Sequence, residues 1–269
     1  MKIGPAVDPA LRARLAARAD IDPLVPRAPL RSADGRHTIG SLDSALARRL
    51  VDEGLLLPDS RTGSGWRLPD APGGDAALAA IARWLLANQL GGRWRDELLA
   101  VDNAEGVPVA AIERAAVRPL GIATHAVHLV GRRADGHVWV QQRALDKATD
   151  PGLWDTMMGG LVSSHESIAT TLERETWEEA GLRIAQLDAV RPFTRISVRR
   201  PVSDGYMVEH IEVYEAVVPD ALTPRNQDGE VERFDCITPA ELHDWLRADV
   251  FTLEAALILT SWLARAEAR

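Results

Sequence analysis

Residues 159–182 read GGLVSSHESIATTLERETWEEAGL. Seven carboxylate or hydroxyl side chains precede the basic Arg174, and then Glu175, Glu178 and Glu179 fall within five positions. On a helix, residues three and four apart are neighbours, and like charges at that spacing repel. Gly181 suits a helix C-cap and ends the segment. Ser163 or Ser164 is placed to cap its start, which sets Glu166 in the first turn near the positive end of the helix dipole. Ile168, Ala169, Leu172 and Ala180 form the inward face, so the helix is amphipathic with an almost wholly negative polar face. A solvated acidic surface is the plain explanation of such a face. A bound hard cation is the sharper one. Carboxylate oxygens suit Mg²⁺ or Mn²⁺, which take octahedral oxygen ligands, keep some waters and bridge substrate phosphates.

The spacing around the cluster favours the cation. Gly160, Glu166, Arg174, Glu175, Glu178, Glu179, Gly181 and Leu182 stand at the positions of G-x5-E-x7-R-E-U-x-E-E-x-G-U, where U is a bulky apolar residue. Seven fixed positions at roughly one in fifteen each give a chance match on the order of 10⁻⁸ per start. Thr176 departs from the pattern, keeping a β-branched shape but adding a hydroxyl, which predicts altered packing and intact chemistry. The stretch resembles the Nudix box. That resemblance implies an α/β fold, a Nudix α/β/α sandwich around a mixed sheet, with the box as loop–helix–loop. It implies hydrolysis of an organic diphosphate with Mg²⁺ or Mn²⁺ as cofactor. By motif position, Glu175, Glu178 and Glu179 are the implied ligands, with the Gly160 carbonyl as a further one, and Glu166 with Arg174 the structural pair of the box.

Outside the box the candidates are single residues. In DGEVERF, Glu230 is a candidate base or extra ligand, weighed against a surface carboxylate. Arg143 and Lys147, just before the box, are placed to grip a diphosphate or to sit solvated at a strand end. His128 in HAVHLVG is either a site residue or a hydrogen-bonded packing residue. Trp154 and Asp155 lie on the path into Gly159-Gly160 and are expected near the substrate, with core packing as the competing role for Trp154. Arg195, Arg199 and Arg200 read as a solvated loop edge, and Cys236 as a small buried hydrophobe.

The 269-residue chain is long for one domain and comfortable for two. Its net charge of −8 and lack of a basic stripe argue against nucleic acid as a partner. Cys236 is the lone cysteine, which excludes an internal disulfide and a cysteine-built zinc site. The stretch MKIGPAVDPALRARLAARAD is too charged for a signal peptide, and no apolar run approaches the ~20 residues of a membrane span. A cytoplasmic setting is expected, with a small-molecule diphosphate as partner, no membrane, and a homodimer left open.

Composition divides the chain into an Ala- and Arg-rich α+β region over 1–118 and an α/β region over 119–269. In the first, helices are expected near 9–19, 41–53, 74–90 and over PVAAIERAAVRP, with short strands at GWRLP and DELLAVDN. In the second, strands are expected in IATHAVHLVGRRADGHVWVQQR, DAVRPFTRISVRR, HIEVYEAVVP and GEVERFDCITP, and the segments PAELHDWLRADV and FTLEAALILTSWLARAEA close the chain as helices. Together, WRDELLAVDN, IERAAVRPLGIATHAVHLVG, QRALDKATDPGLWD and DGEVERF resemble one Nudix branch, similar to the Nudix region fused to thiamine pyrophosphokinase. That branch implies hydrolysis of thiamine diphosphate and its oxidised forms to monophosphates. The box reads only the diphosphate, so ADP-ribose or a nucleotide sugar stays open as substrate, and so does a non-catalytic, ligand-binding module.

Overall fold

The computed structural model describes residues 7–60, 63–71 and 73–267. Residues 1–6, at the head of the segment read above for a leader, lie outside the described residues. The elements run α1 (Pro9–Ala19), β1 (Arg27–Arg31), β2 (Thr38–Asp43), α2 (Ser44–Asp52), β3 (Leu57–Pro58), β4 (Trp66–Arg67), α3 (Gly74–Ala87), β5 (Leu98–Asp102) and β6 (Pro108–Glu113). They continue with β7 (Ala123–Arg132), β8 (Val138–Arg143), β9 (Trp154–Asp155), β10 (Met158–Leu161), α4 (Ile168–Ala180), β11 (Asp188–Val202), β12 (Gly205–Val217), β13 (Val231–Ile237), α5 (Pro239–Arg247) and α6 (Leu253–Glu267).

A mixed sheet in the order β11-β12-β7-β8-β13 carries β10 beside β7 and β9 beside β8. The β12–β7 pairing is parallel and the other pairings in this sheet are antiparallel. Side chains alternate between the two faces of a strand. In β7, Val127 and Leu129 pack toward α4 with Leu172 and Ala180, whereas Ala126 and Val130 join α1, α5 and α6. The sheet is therefore covered on both faces, as the α/β/α expectation requires. Among the described residues, no helix is long and apolar enough to cross a membrane.

Residues 27–122 build a second core. A four-stranded sheet, β2-β1-β4-β3, and the β5–β6 hairpin enclose Leu30, Leu42, Leu50, Leu78, Ile81 and Ile112 together with α3. Helix α1 stays out of this core: Leu11 and Leu15 pack with Ile258, Leu259 and their neighbours on the far side of the large sheet.

Four local expectations need correction. PVAAIERAAVRP is strand β6 followed by a 3-10 turn at Arg114–Ala116, because its Ala-rich helix propensity yields to pairing with β5. Helix α2 starts at Ser44, since the Asp43 carboxylate accepts from Ala45 N and Leu46 N at 2.9 Å each, and Leu42 belongs to β2. The box helix is capped by Ser167, whose hydroxyl accepts from Thr170 N at 3.2 Å. Ser163 to Glu166 therefore form the loop ahead of it, and Glu166 is not in the first turn. Cys236 is only partly buried, between exposed Asp235 and buried Ile237.

Candidate active site

Strand β10 lays Gly159 and Gly160 beside His128 and Val127 of β7, and α4 crosses above. The close approach needs glycine. A Cβ on Gly160 would collide with the Glu175 carboxyl group, and one on Gly159 with the His128 ring. Gly181 ends α4 in the left-handed conformation at φ 64°, which glycine adopts without strain.

Arg174 organises the polar face of α4. Its Nε and Nη2 donate to the two Glu166 carboxylate oxygens at 2.8 Å each, a bidentate pair. Its Nη1 donates to Glu175 at 2.8 Å and to Glu178 at 2.9 Å. One guanidinium thus faces Glu166 and two of the three acids whose repulsion the sequence raised. Hydrogen bonding from Arg174 holds the Glu166 carboxyl below its ordinary value. Thr171 adds a hydroxyl donated to Glu166 at 3.0 Å. Buried Thr176 satisfies its hydroxyl on Leu172 O at 2.6 Å, so the departure from the motif stays within the helix.

Glu179 points the other way, into the protein. It accepts from Gln141 Nε2 at 2.8 Å and from Gly159 N at 2.9 Å, and Lys147 Nζ lies 3.8 Å away. Burial pushes its carboxyl up to about 8, and burial pushes that of Glu175 up to about 7. A buried anion without a full counter-charge is costly, and the group neutralises instead.

Glu175 and Glu178 open on a cavity of about 700 Å³ whose walls also carry Arg143, Lys147, Asp155 and Glu230. Lys147 is ion-paired with Glu230. Burial raises the Glu230 carboxyl, but the hydrogen bond and charge of Lys147, with Arg114 and Arg95 behind it, bring it below its ordinary value. Arg143 is committed to structure, donating to Thr149 O at 3.1 Å and to Asp155 at 3.3 Å. His128 lines the cavity and shares a 2.9 Å hydrogen bond with the Thr156 hydroxyl; burial lowers its pKa, so the ring is neutral at pH 7.

Trp154 is a correction. It is 7% exposed and packs in the core against Trp245, ring centroids 4.7 Å apart, and does not line the cavity. The pleat explains this, since Asp155 takes the other side of the strand. The box carboxylates are not preassembled as a ligand set. Among the described residues no three His, Cys, Asp or Glu side chains form a ready metal cage. Arg174 occupies the inner oxygens of Glu175 and Glu178, and Glu179 is turned to Gln141 and Gly159. The donor chemistry nevertheless fits a hard divalent ion. Two carboxyls held near neutrality by burial, beside a third, are what such an ion would ionise and draw together.

Several residues of the site have no local signal in the sequence. Gln141 is an unremarkable strand residue that becomes a Glu179 donor only when β8 lies under α4. Arg95 and Arg114 come from the two ends of the β5–β6 hairpin, and docking brings them to the cavity. Ser164 N donates to Leu98 O at 2.7 Å, which fixes that hairpin to the box loop.

The NUDIX domain model matches residues 123–257, half of the chain. The chain belongs to the NUDIX family. It is 30% identical over 176 residues to Nudix hydrolase 20, chloroplastic, of Arabidopsis thaliana, covering 64% of this chain and 47% of that protein. It is 26% identical over 236 residues to an uncharacterized protein of Saccharomyces cerevisiae, covering 80% of this chain and 69% of that one. The crystal structure of DR0079 from Deinococcus radiodurans matches 62% of this chain and 99% of its own with a TM-score of 0.50 at 24% identity, which speaks for the fold alone. The chain spans about half the length of the plant NUDIX relatives it matches.

Proposed function

We propose that the chain is a metal-dependent hydrolase that cleaves the diphosphate of a small organic diphosphate to the monophosphate. The observation that carries this reading is the disposition of the α4 acids. Glu175 and Glu178 face a cavity large enough for a small substrate, and Glu175 and Glu179 are held near neutrality by burial. Glu175, Glu178 and Glu179, with the Gly160 carbonyl, would hold Mg²⁺ or Mn²⁺. When bound, such an ion supplies neutralisation of the diphosphate charge and activation of the attacking water. Arg174 then keeps its bidentate hold on Glu166 and so fixes the box loop. Lys147 is positioned to leave Glu230 for a phosphate oxygen, which frees the Glu230 carboxylate to accept the proton of the water.

The substrate is proposed from the sequence resemblance to the thiamine pyrophosphokinase-linked branch: thiamine diphosphate and its oxidised forms. We also propose a functional division near residue 118, with the N-terminal region as the wall that reads the organic part of the substrate. Its support is the presence of Arg95 and Arg114 in the cavity lining. The test is a panel of thiamine diphosphate, its oxidised forms, ADP-ribose and a nucleotide sugar, assayed for monophosphate release with Mg²⁺ or Mn²⁺. Release from thiamine-type diphosphates above the others is expected. Preference for ADP-ribose would replace the substrate, and no release from any of them would leave a ligand-binding module.

A further inference from the structure

The same cavity has a second acidic end, away from the box. Glu209 sits in β12 between Met207 and Ile211, at a position whose side chain faces the α6 side of the sheet, where the pleat calls for an apolar residue. Its register partner across the parallel pairing is Thr124. The Thr124 hydroxyl is shared between Val208 O at 3.3 Å and Glu209 Oε2 at 3.2 Å. Glu254 lies in the first turn of α6 and is only 9% exposed. Its Oε1 has no hydrogen-bond partner among the described residues, and the nearest cation, Arg200 Nη2, is 3.6 Å away.

Arginine charge offsets the pair only in part: Arg118 and Arg114 act on Glu209 from ion pairs of their own, and Arg200 acts on Glu254. Arg118 is paired with Asp204 at 3.5 Å and Arg114 with Glu97 at 2.8 Å. Burial pushes the Glu209 carboxyl up to about 7, with the charge of Glu254 adding to it, and burial raises the carboxyl of Glu254. Asp150 and Asp155 add to the negative potential at Glu254. Two carboxyls with unused acceptor capacity in a substrate-sized cavity are costly unless something supplies donors or positive charge.

We propose that Glu209 and Glu254 form a subsite for a cationic head group on the organic part of the diphosphate. This rests on the reading of the α4 end as the diphosphate site. It makes the cavity dipolar: the box end takes the anionic tail, and the β12–α6 end takes the positive head. A head group without positive charge leaves the two acids uncompensated and is disfavoured, because specificity comes from polar groups stranded by the wrong ligand.

The test is calorimetric binding in EDTA with two probes, thiamine monophosphate (cationic head) and AMP (neutral head). Wild-type protein should bind thiamine monophosphate more tightly. Glu209→Gln and Glu254→Gln are close in shape to the native side chains, and retained melting temperatures identify the folded variants. Each should weaken thiamine monophosphate at least about tenfold and AMP less than about threefold, the scale of a lost charge-assisted hydrogen bond. Should one variant fail to fold, the other carries the measurement. Equal weakening of both probes, no weakening, or wild-type preference for AMP overturns the subsite. Neither metal nor hydrolysis enters this assay, so a chain that hydrolyses no diphosphate still reports on the head group. Conversely, hydrolysis without head-group selectivity sinks the subsite alone.

Discussion

The cavity has two unlike walls. The α4 wall is local: Glu166, Arg174, Glu175 and Glu178 come from one loop and helix, and their positions follow from helical periodicity and one bidentate ion pair. The facing wall is assembled from distant pieces: Arg95 ahead of β5, Arg114 after β6, Lys147 after β8, Glu209 in β12 and Glu254 in α6. A wall made by one helix can be reproduced wherever that helix is reproduced. A wall made by docking depends on the whole chain; under the proposed function the first wall would hold the metal and the second would read the organic part of the substrate.

The largest expected effect breaks the first wall. Glu178→Gln and Glu179→Gln should each lower turnover at least about a hundredfold with the fold retained, because each would remove a ligand from the ion proposed to neutralise the transition-state charge. Near-full activity of both at saturating Mg²⁺ would remove the metal assignment. The second wall should answer differently. Replacing Arg95 and Arg114 together with serine should raise KM about tenfold and change kcat less than about threefold, the signature of uniform binding. A fall in kcat at constant KM would move these arginines to the reacting end.

A smaller effect sharpens the contrast by proton counting. Glu175 and Glu179, pushed up to about 7 and about 8, hold protons in the metal-free protein at pH 7. Metal ligation needs both ionised, so Mn²⁺ added at pH 7 should release about one proton per ion, and at pH 9 almost none. A pH-stat titration reads this directly, and silence at pH 7 places the ion elsewhere.

The smallest effect concerns the far end. The Glu209 carboxyl is raised in the folded chain from 4.5 to about 7. Between those values the folded state binds more protons than the unfolded state, so stability falls as pH rises and the cost is complete above about pH 7. Glu209→Gln should therefore melt ~2–4 °C above wild type at pH 8 and level with it near pH 4.5. A constant offset at both pH values would deny Glu209 its burial.

The local wall was legible from sequence because its information is periodic and short-range. Glu175, Glu178, Glu179, Arg174 and Glu166 sit at fixed spacings, Ala123–Arg132 carries a near-continuous buried run, and Gly205–Val217 alternates over its middle. The distant wall was legible only in part. Gln141, Arg95 and Glu254 have ordinary sequence surroundings, and their meaning arises when β8, the β5–β6 hairpin and α6 converge. Trp154 was misread because a two-residue strand gives no clue to which of Trp154 and Asp155 faces the cavity. Pro108–Glu113 was misread because its alanines favour a helix until β5 supplies hydrogen bonds. Ser163 and Ser164 competed with Ser167 as caps, and it took the Glu166–Arg174 pair to hold the intervening loop open.

Helix α1 shows what such distant assembly means while the chain is being made. Its Leu11 and Leu15 rest on α6 residues near Ile258 and Leu259. The ribosome therefore delivers α1 well before the surface it needs exists. Meanwhile the core around Leu30, Leu50, Ile81 and Ile112 can close on its own residues. At a synthesis rate of roughly 5–20 residues per second, α1 waits on the order of ten seconds or more with its apolar stripe unpaired.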